Sequence, residues 1–90
     1  MPTQLTNTLT ALSLYGTTGC HLCERVEDYL TQLQDALPFT WQYIDIIDLE
    51  DNQTEALSTL IPVVACDDKQ LHYPFSMVEL SDWVSSLNLG

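Results

Sequence analysis

"LYGTTGCHLCERVEDYL", residues 14–30, runs from an apolar segment through a glycine-bracketed turn and two thiols into a segment with helical spacing. Residues 9–15, LTALSLY, are mostly apolar and suit a strand, and Gly16 and Gly19 bracket the turn that follows. From Cys20 onward, Leu22, Val26, Leu30, Leu33 and Leu37 recur every three or four residues, with Glu24, Glu27, Asp28, Gln32 and Asp35 between them. That spacing predicts an amphipathic helix stopped near Pro38.

Further along, residues 39–47, FTWQYIDII, alternate Phe39, Trp41 and Tyr43 with Thr40, Gln42 and Ile44, the period of a second strand. Asp48 is expected to cap a short helix with Glu50 and Asp51 in its early turns and Leu49, Ala56, Leu57 and Leu60 on its apolar side, ending before Pro62. PVVAC reads as a buried strand, DDK as a turn and QLHY as a strand that closes an antiparallel hairpin. Ser76 and Glu79 form a capping box ahead of Met77, Leu80, Val84 and Leu87. The predicted order is β-α-β-α-β-β-α. Its first two strands are joined by a helical crossover and so run parallel, giving an α/β protein with a four-stranded mixed sheet and helices on both faces.

Ninety residues with 46% hydrophobic content suit one domain over residues 1–90, burying roughly 60–65% of the unfolded chain's surface. Either half alone would be too small for a core, and three cysteines cannot supply a dense disulfide framework. The opening MPTQLTNTLTAL has no basic segment and no sustained apolar stretch, so no export signal is expected. The longest apolar run, IPVVAC, is six residues, against the roughly 20 that cross a bilayer as a helix. A soluble, monomeric protein in the reducing cytoplasm is the expectation. Two basic residues against 13 acidic ones give a formal net charge of -11, which repels nucleic acid and anionic membrane surfaces and leaves neither as a partner.

Cysteine reacts as the thiolate, and a helix start favours that form through its unpaired N–H groups and dipole. Cys20 sits there as the candidate nucleophile, and Cys23, one turn inward, is spaced to resolve a mixed disulfide. His21 and Arg25 favour the thiolate while Glu24, Glu27 and Asp28 oppose it, so the helix terminus is expected to dominate and hold the Cys20 pKa below that of a free thiol. Cys-x-x-Cys spacing also serves zinc and iron–sulfur sites. A metal-binding module using Cys20 and Cys23, alone or across a dimer, thus stands as an alternative, as do a redox-inactive binding adaptor and a pair of inert core cysteines. Against metal, the remaining Cys66 and His72 are six positions apart, at opposite ends of the predicted hairpin. No bound cofactor is required by the dithiol reading.

With LYGTTGCHLC, IPVV and LHYPFSMVEL in this order, the chain resembles glutaredoxins, and more closely a family of small bacterial glutaredoxin-like proteins with the thioredoxin fold. The likeness spans about residues 9–88 and rests on Cys-x-Leu-Cys at 20–23, Ile-Pro-Val at 61–63 and aromatic-Pro-Phe at 73–75. It implies a thiol-disulfide oxidoreductase in which Cys20 attacks, Cys23 resolves and Pro62 is a cis-proline. Ile61, Pro62 and His21 would then face the substrate, a disulfide-containing protein or small molecule. Glutaredoxins typically carry a lysine where Thr17 stands and a Gly-Gly segment that holds glutathione where Tyr73-Pro74-Phe75-Ser76 stands. Pro74 has no N–H to offer, and only Arg25 and Lys69 are available to clamp carboxylates, so weak glutathione binding is expected.

Other conspicuous residues suit structural roles. Cys66 is expected to pack as a small apolar side chain, and His72 to lie on the surface. Trp41, Trp83, Phe39 and Met77 suit the core, and Asp45 a turn or cap at the end of the second strand.

Overall fold

The structure, a computed structural model, describes residues 10–87. The expected start of the first strand at Leu9, the expectation of no export signal over residues 1–9 and the end of the resemblance at Asn88 lie outside them. The elements are β1 (Thr10–Gly16), α1 (His21–Leu33), β2 (Phe39–Asp45), a 3-10 turn (Ile46–Asp48), α2 (Asp51–Leu57), β3 (Val63–Cys66), β4 (Lys69–His72) and α3 (Met77–Ser85). They form the predicted β-α-β-α-β-β-α order and one sheet with strand order β2-β1-β3-β4. β1 and β2 pair in parallel, with Leu14 beside Tyr43 and Gly16 beside Asp45. β3 is antiparallel to both β1 and β4. The β3–β4 turn is the two residues Asp67-Asp68, and Asp67 takes φ 55°, a left-handed conformation that aspartate tolerates better than most residues.

One face of the sheet carries the core. Leu12 and Leu14 of β1, Phe39 of β2 and Val64 of β3 meet Val26, Leu30 and Leu33 of α1 and Leu80 and Val84 of α3, with Phe75 closing the cluster. Full burial of each such side chain contributes about 1.5–3 kcal/mol. Trp41, Trp83 and Met77 pack against this cluster half-buried, and the indole Nε1 of Trp41 donates to Gln34 Oε1 at 3.3 Å. Val63, Val64 and Ala65 are all buried, so β3 is covered on both faces. The capping box of α3 forms as read: Glu79 N donates to Ser76 Oγ at 3.0 Å and Ser76 N to Glu79 Oε1 at 2.8 Å.

Two elements differ from expectation. The buried stripe of α1 is Cys23, Val26, Leu30 and Leu33, at steps of three, four and three, while Leu22 is exposed and Leu37 lies past the helix end. Cys23 thus takes the core position expected for Leu22. After β2, Asp45 caps the chain as expected, its Oδ1 accepting from Ile47 N at 3.1 Å, but Asp48 does not cap the helix that follows. That early cap starts a 3-10 turn, Asp48 ends it, and α2 begins afresh at Asp51 with Glu50 making no side-chain cap bond. No residue of α2 is buried. The helix lies on the sheet face opposite the core, over a cavity of about 210 Å³ lined by Tyr15, Leu49, Gln53, Ala56, Leu57 and Gln70.

Candidate functional site

β1 ends at Gly16, and a turn over Thr17–Gly19 delivers the chain to the start of α1. Cys20 N donates to Thr17 O at 3.3 Å, and Gly19 has φ 83°, a conformation open to glycine and costly for a side chain. Cys20 is the N-cap of α1, with extended φ −87° and ψ 104°, and its own sulfur is the capping group: Cys23 N donates to Cys20 Sγ at 3.1 Å. A sulfur that accepts from an otherwise unpaired helix N–H has its negative charge stabilised when it ionises.

Cys20 and Cys23 are joined by a disulfide, with Cα atoms 5.2 Å apart. Their surroundings differ. Cys20 is half-exposed, whereas Cys23 retains 1% of its accessible surface and sits among the core side of α1. Gly16 makes this burial possible. A Cβ on Gly16 would stand 2.9 Å from Cys23 Sγ and 3.1 Å from Cys23 Cβ, and 2.8 Å from the hydroxyl oxygen of Tyr43. Burial first, and then the carboxylates of Asp45, Glu27 and Glu24, raise the pKa of Tyr43, so its hydroxyl keeps its proton over the ordinary pH range.

His21 and Leu22, between the cysteines, are exposed, and His21 Nδ1 lies 3.7 Å from Glu24 Oε1 in solvent. Among the described residues Arg25 makes no ion pair. Tyr15 of β1 pairs with Val63 of β3, and the antiparallel register continued by one residue sets Pro62 beside Gly16. Pro62 is buried, Ile61 is half-buried, and the peptide bond between them is cis, as is Tyr73–Pro74. Tyr73 N donates to Pro62 O at 3.2 Å, which ties the 73–76 segment to the same end of the sheet. Tyr73 and Phe75 pack edge to face at 5.4 Å.

Cys20, Cys23 and Pro62 therefore gather where β1 ends and β3 begins, with Ile61 next to them and the His21 side chain turned out toward Glu24. Cys66 stands at the other end of β3, half-buried. Burial first, then Asp67 and Asp68 against an opposing Lys69, raises its pKa. His72 is exposed and pairs with Gln70 Oε1 at 3.0 Å. Asp45 Oδ2 accepts from Thr18 Oγ1 at 3.5 Å, linking its cap to the thiol loop. Among the described residues no three His, Cys, Asp or Glu side chains gather into a metal-binding group, and no helix is long and apolar enough to cross a membrane. Sequence alone marks Gly16 only as part of the turn and Tyr43 only as part of the strand. The clue to Tyr43 was its place on the inward side of the alternating aromatics, next to the strand end that leads to the thiols.

A profile described as "Glutaredoxin-like domain (DUF836)" matches residues 11–85. The chain belongs to this glutaredoxin-like family. No curated protein matches it significantly. Among solved structures, the glutaredoxin-like chain is similar to a structural-genomics target protein from X. campestris, at 28% identity and TM-score 0.65, over 83% of this chain and 96% of that one. It shares its fold with thioredoxin 1 of the thermophilic eubacterium Thermosipho africanus, at 16% identity and TM-score 0.64, covering 86% and 92% of the two chains. A glutaredoxin from Archaeoglobus fulgidus gives 18% identity and TM-score 0.53 over 100% of this chain and 98% of the other. The glutaredoxin-like chain thus combines a thioredoxin-like fold with a Cys-x-x-Cys pair in the disulfide state.

Proposed function

We propose that the protein is a dithiol-disulfide oxidoreductase acting in the cytoplasm on disulfide-containing proteins or small molecules. The observation that carries this reading is the helix-start amide of Cys23 donating to Cys20 Sγ, with Cys20 half-exposed and Cys23 buried behind it. In the reductive direction the Cys20 thiolate attacks one sulfur of a substrate disulfide. That S–S bond breaks, the first substrate thiolate leaves, and a mixed disulfide on Cys20 remains. The Cys23 thiolate then attacks Cys20 Sγ, forms the Cys20–Cys23 disulfide and expels the second substrate thiolate. The substrate gains two electrons and, from solvent, two protons. An external thiol reductant returns the protein to the dithiol. Ile61 and Pro62 form the wall along which the substrate backbone lies, and His21 and Leu22 supply an exposed lip.

Glutathione is a poor fit for the 73–76 segment. Tyr73 N–H is already donated to Pro62 O, Pro74 has none, and Ser76 N–H is donated to Glu79 Oε1. Those three backbone positions have no N–H left for a peptide ligand, and the net charge of -11 disfavours an anionic tripeptide.

The test is turnover of a protein-disulfide reporter with a small dithiol as electron source. Cys20→Ser is expected to abolish it, and Cys23→Ser to accumulate mixed disulfides on Cys20. Equal turnover by wild type and Cys20→Ser would remove the reading. Stoichiometric metal on anaerobically purified protein, lost with Cys23→Ser, would replace it with a metal module.

A further inference from the structure

Opening the Cys20–Cys23 disulfide leaves its electron pair on Cys23 Sγ, a sulfur with 1% of its surface accessible. Water cannot solvate an anion there, and an unpaired buried charge is costly. The nearest cationic side chain in sequence, Arg25, is exposed and on the outer side of α1. One uncharged donor lies close by. Tyr43 alternates onto the same face of β2 as Phe39 and Trp41 but stays 37% exposed, and its hydroxyl lies against the end of β1 at Gly16. Tyr43 Oη and Cys23 Sγ are the two heavy atoms nearest to the empty Cβ position of Gly16, at 2.8 and 2.9 Å from it. The missing side chain at Gly16 is what allows the two to converge.

We infer that Tyr43 is the hydrogen-bond donor that stabilises the Cys23 thiolate in the reduced protein. The inference rests on the oxidoreductase reading for its purpose, though not for its geometry. When an incoming thiolate attacks Cys20 Sγ, the S–S bond breaks and the pair leaves on Cys23 Sγ. The Tyr43 O–H turns to that sulfur directly or through one water, and no proton is transferred. When Cys23 later attacks a mixed disulfide on Cys20, the same bond keeps part of the buried thiol ionised. Tyr43 suits this role because burial and the facing carboxylates of Asp45 on β2 and Glu27 and Glu24 on α1 keep its own proton in place. A tyrosinate could not donate.

The experiment removes the hydroxyl and keeps the ring. In a Cys20→Ser/Cys66→Ser protein, Cys23 is the sole thiol, and the carbon NMR shift of its Cβ reports its ionisation against pH. Adding Tyr43→Phe is expected to raise the Cys23 midpoint by about one pH unit, the size of one hydrogen bond to a charged group. The carboxylates are common to both proteins and cancel in the comparison, and a purely packing role for the ring would leave the midpoint in place. An unchanged or lowered midpoint overturns the assignment. The titration needs no turnover. Loss of the oxidoreductase reading, seen as Cys20→Ser remaining fully active, is therefore separable from loss of the Tyr43 assignment.

Discussion

Gly16→Ala tests the packing on which the site depends. The new methyl would lie 2.9 Å from Cys23 Sγ, 3.1 Å from Cys23 Cβ and 2.8 Å from Tyr43 Oη. The tyrosine can yield, because its hydroxyl is the end of a long side chain that is 37% exposed. Cys23 cannot yield without moving α1, since it is buried in the helix and bonded to the residue that caps it. Overpacking of this kind costs about 1–3 kcal/mol. Gly16 lacks a positive φ, so alanine recovers about 0.4–1 kcal/mol by restricting the unfolded chain. The net loss is about 1–2 kcal/mol, which for a chain of this size lowers Tm by roughly 4–16 °C. Thermal unfolding of the oxidised protein followed by circular dichroism measures it. Gly16→Ala/Tyr43→Phe should regain less than half of the loss, because the mobile hydroxyl was the cheaper of the two clashes. A Tm equal to wild type would refute the reasoning, since it would mean that the helix start has room to retreat.

At Gly19 the φ of 83° is the whole constraint, since a Cβ there meets nothing within 4 Å. Gly19→Ala should cost about 1–2 kcal/mol and Gly19→Asn less, as read from denaturant midpoints; equal costs would count against a backbone origin. Ser76→Ala removes one arm of the α3 capping box and should cost about 1 kcal/mol by chemical denaturation. Leu30→Ala, at a fully buried position of α1, should cost about 2–5 kcal/mol in the same assay. For Cys66, the one free thiol of the oxidised protein among the described residues, alkylation against pH should show a midpoint above that of a small free thiol. In the unfolded chain this thiol ionises at the lower, ordinary value. Its contribution to stability is therefore complete below that value and is lost as pH rises through the folded one. A midpoint at or below the small-thiol value would contradict the environment described.

The strands and two of the helices were legible because each carries one clear period: alternation in FTWQYID, three-and-four spacing from Val26 to Leu33, and a capping box at Ser76. The thiols stand out in the sequence as candidates because a glycine turn followed by a helix start is a context that favours the thiolate. What escaped sequence reading depended on register. Parallel pairing sets Tyr43 next to Leu14 and two residues short of Gly16, and no period within β2 announces which residue of β1 it will face. At the first turn of α1 the apolar pattern points to Leu22, whereas Cys23 of the Cys-x-x-Cys pair fills the core position. Around α2, Asp45 caps at the strand end as its position suggests, but the 3-10 turn it starts uses up Asp48, so the helix begins afresh at Asp51.

The two faces of the sheet are built to different mechanical standards. One is a tight layer in which α1, α3 and the strands interlock around Leu14, Leu30 and Leu80. On the other, a seven-residue helix with no buried side chain bridges a hollow. A helix so short gains little from its own hydrogen bonds and needs its packing to persist. Amide exchange should therefore release Asp51–Leu57 well before the strands, uncovering Tyr15 while the disulfide at the end of β1 keeps its alignment. That side of the molecule can absorb sequence change as a soft panel on a stiff frame.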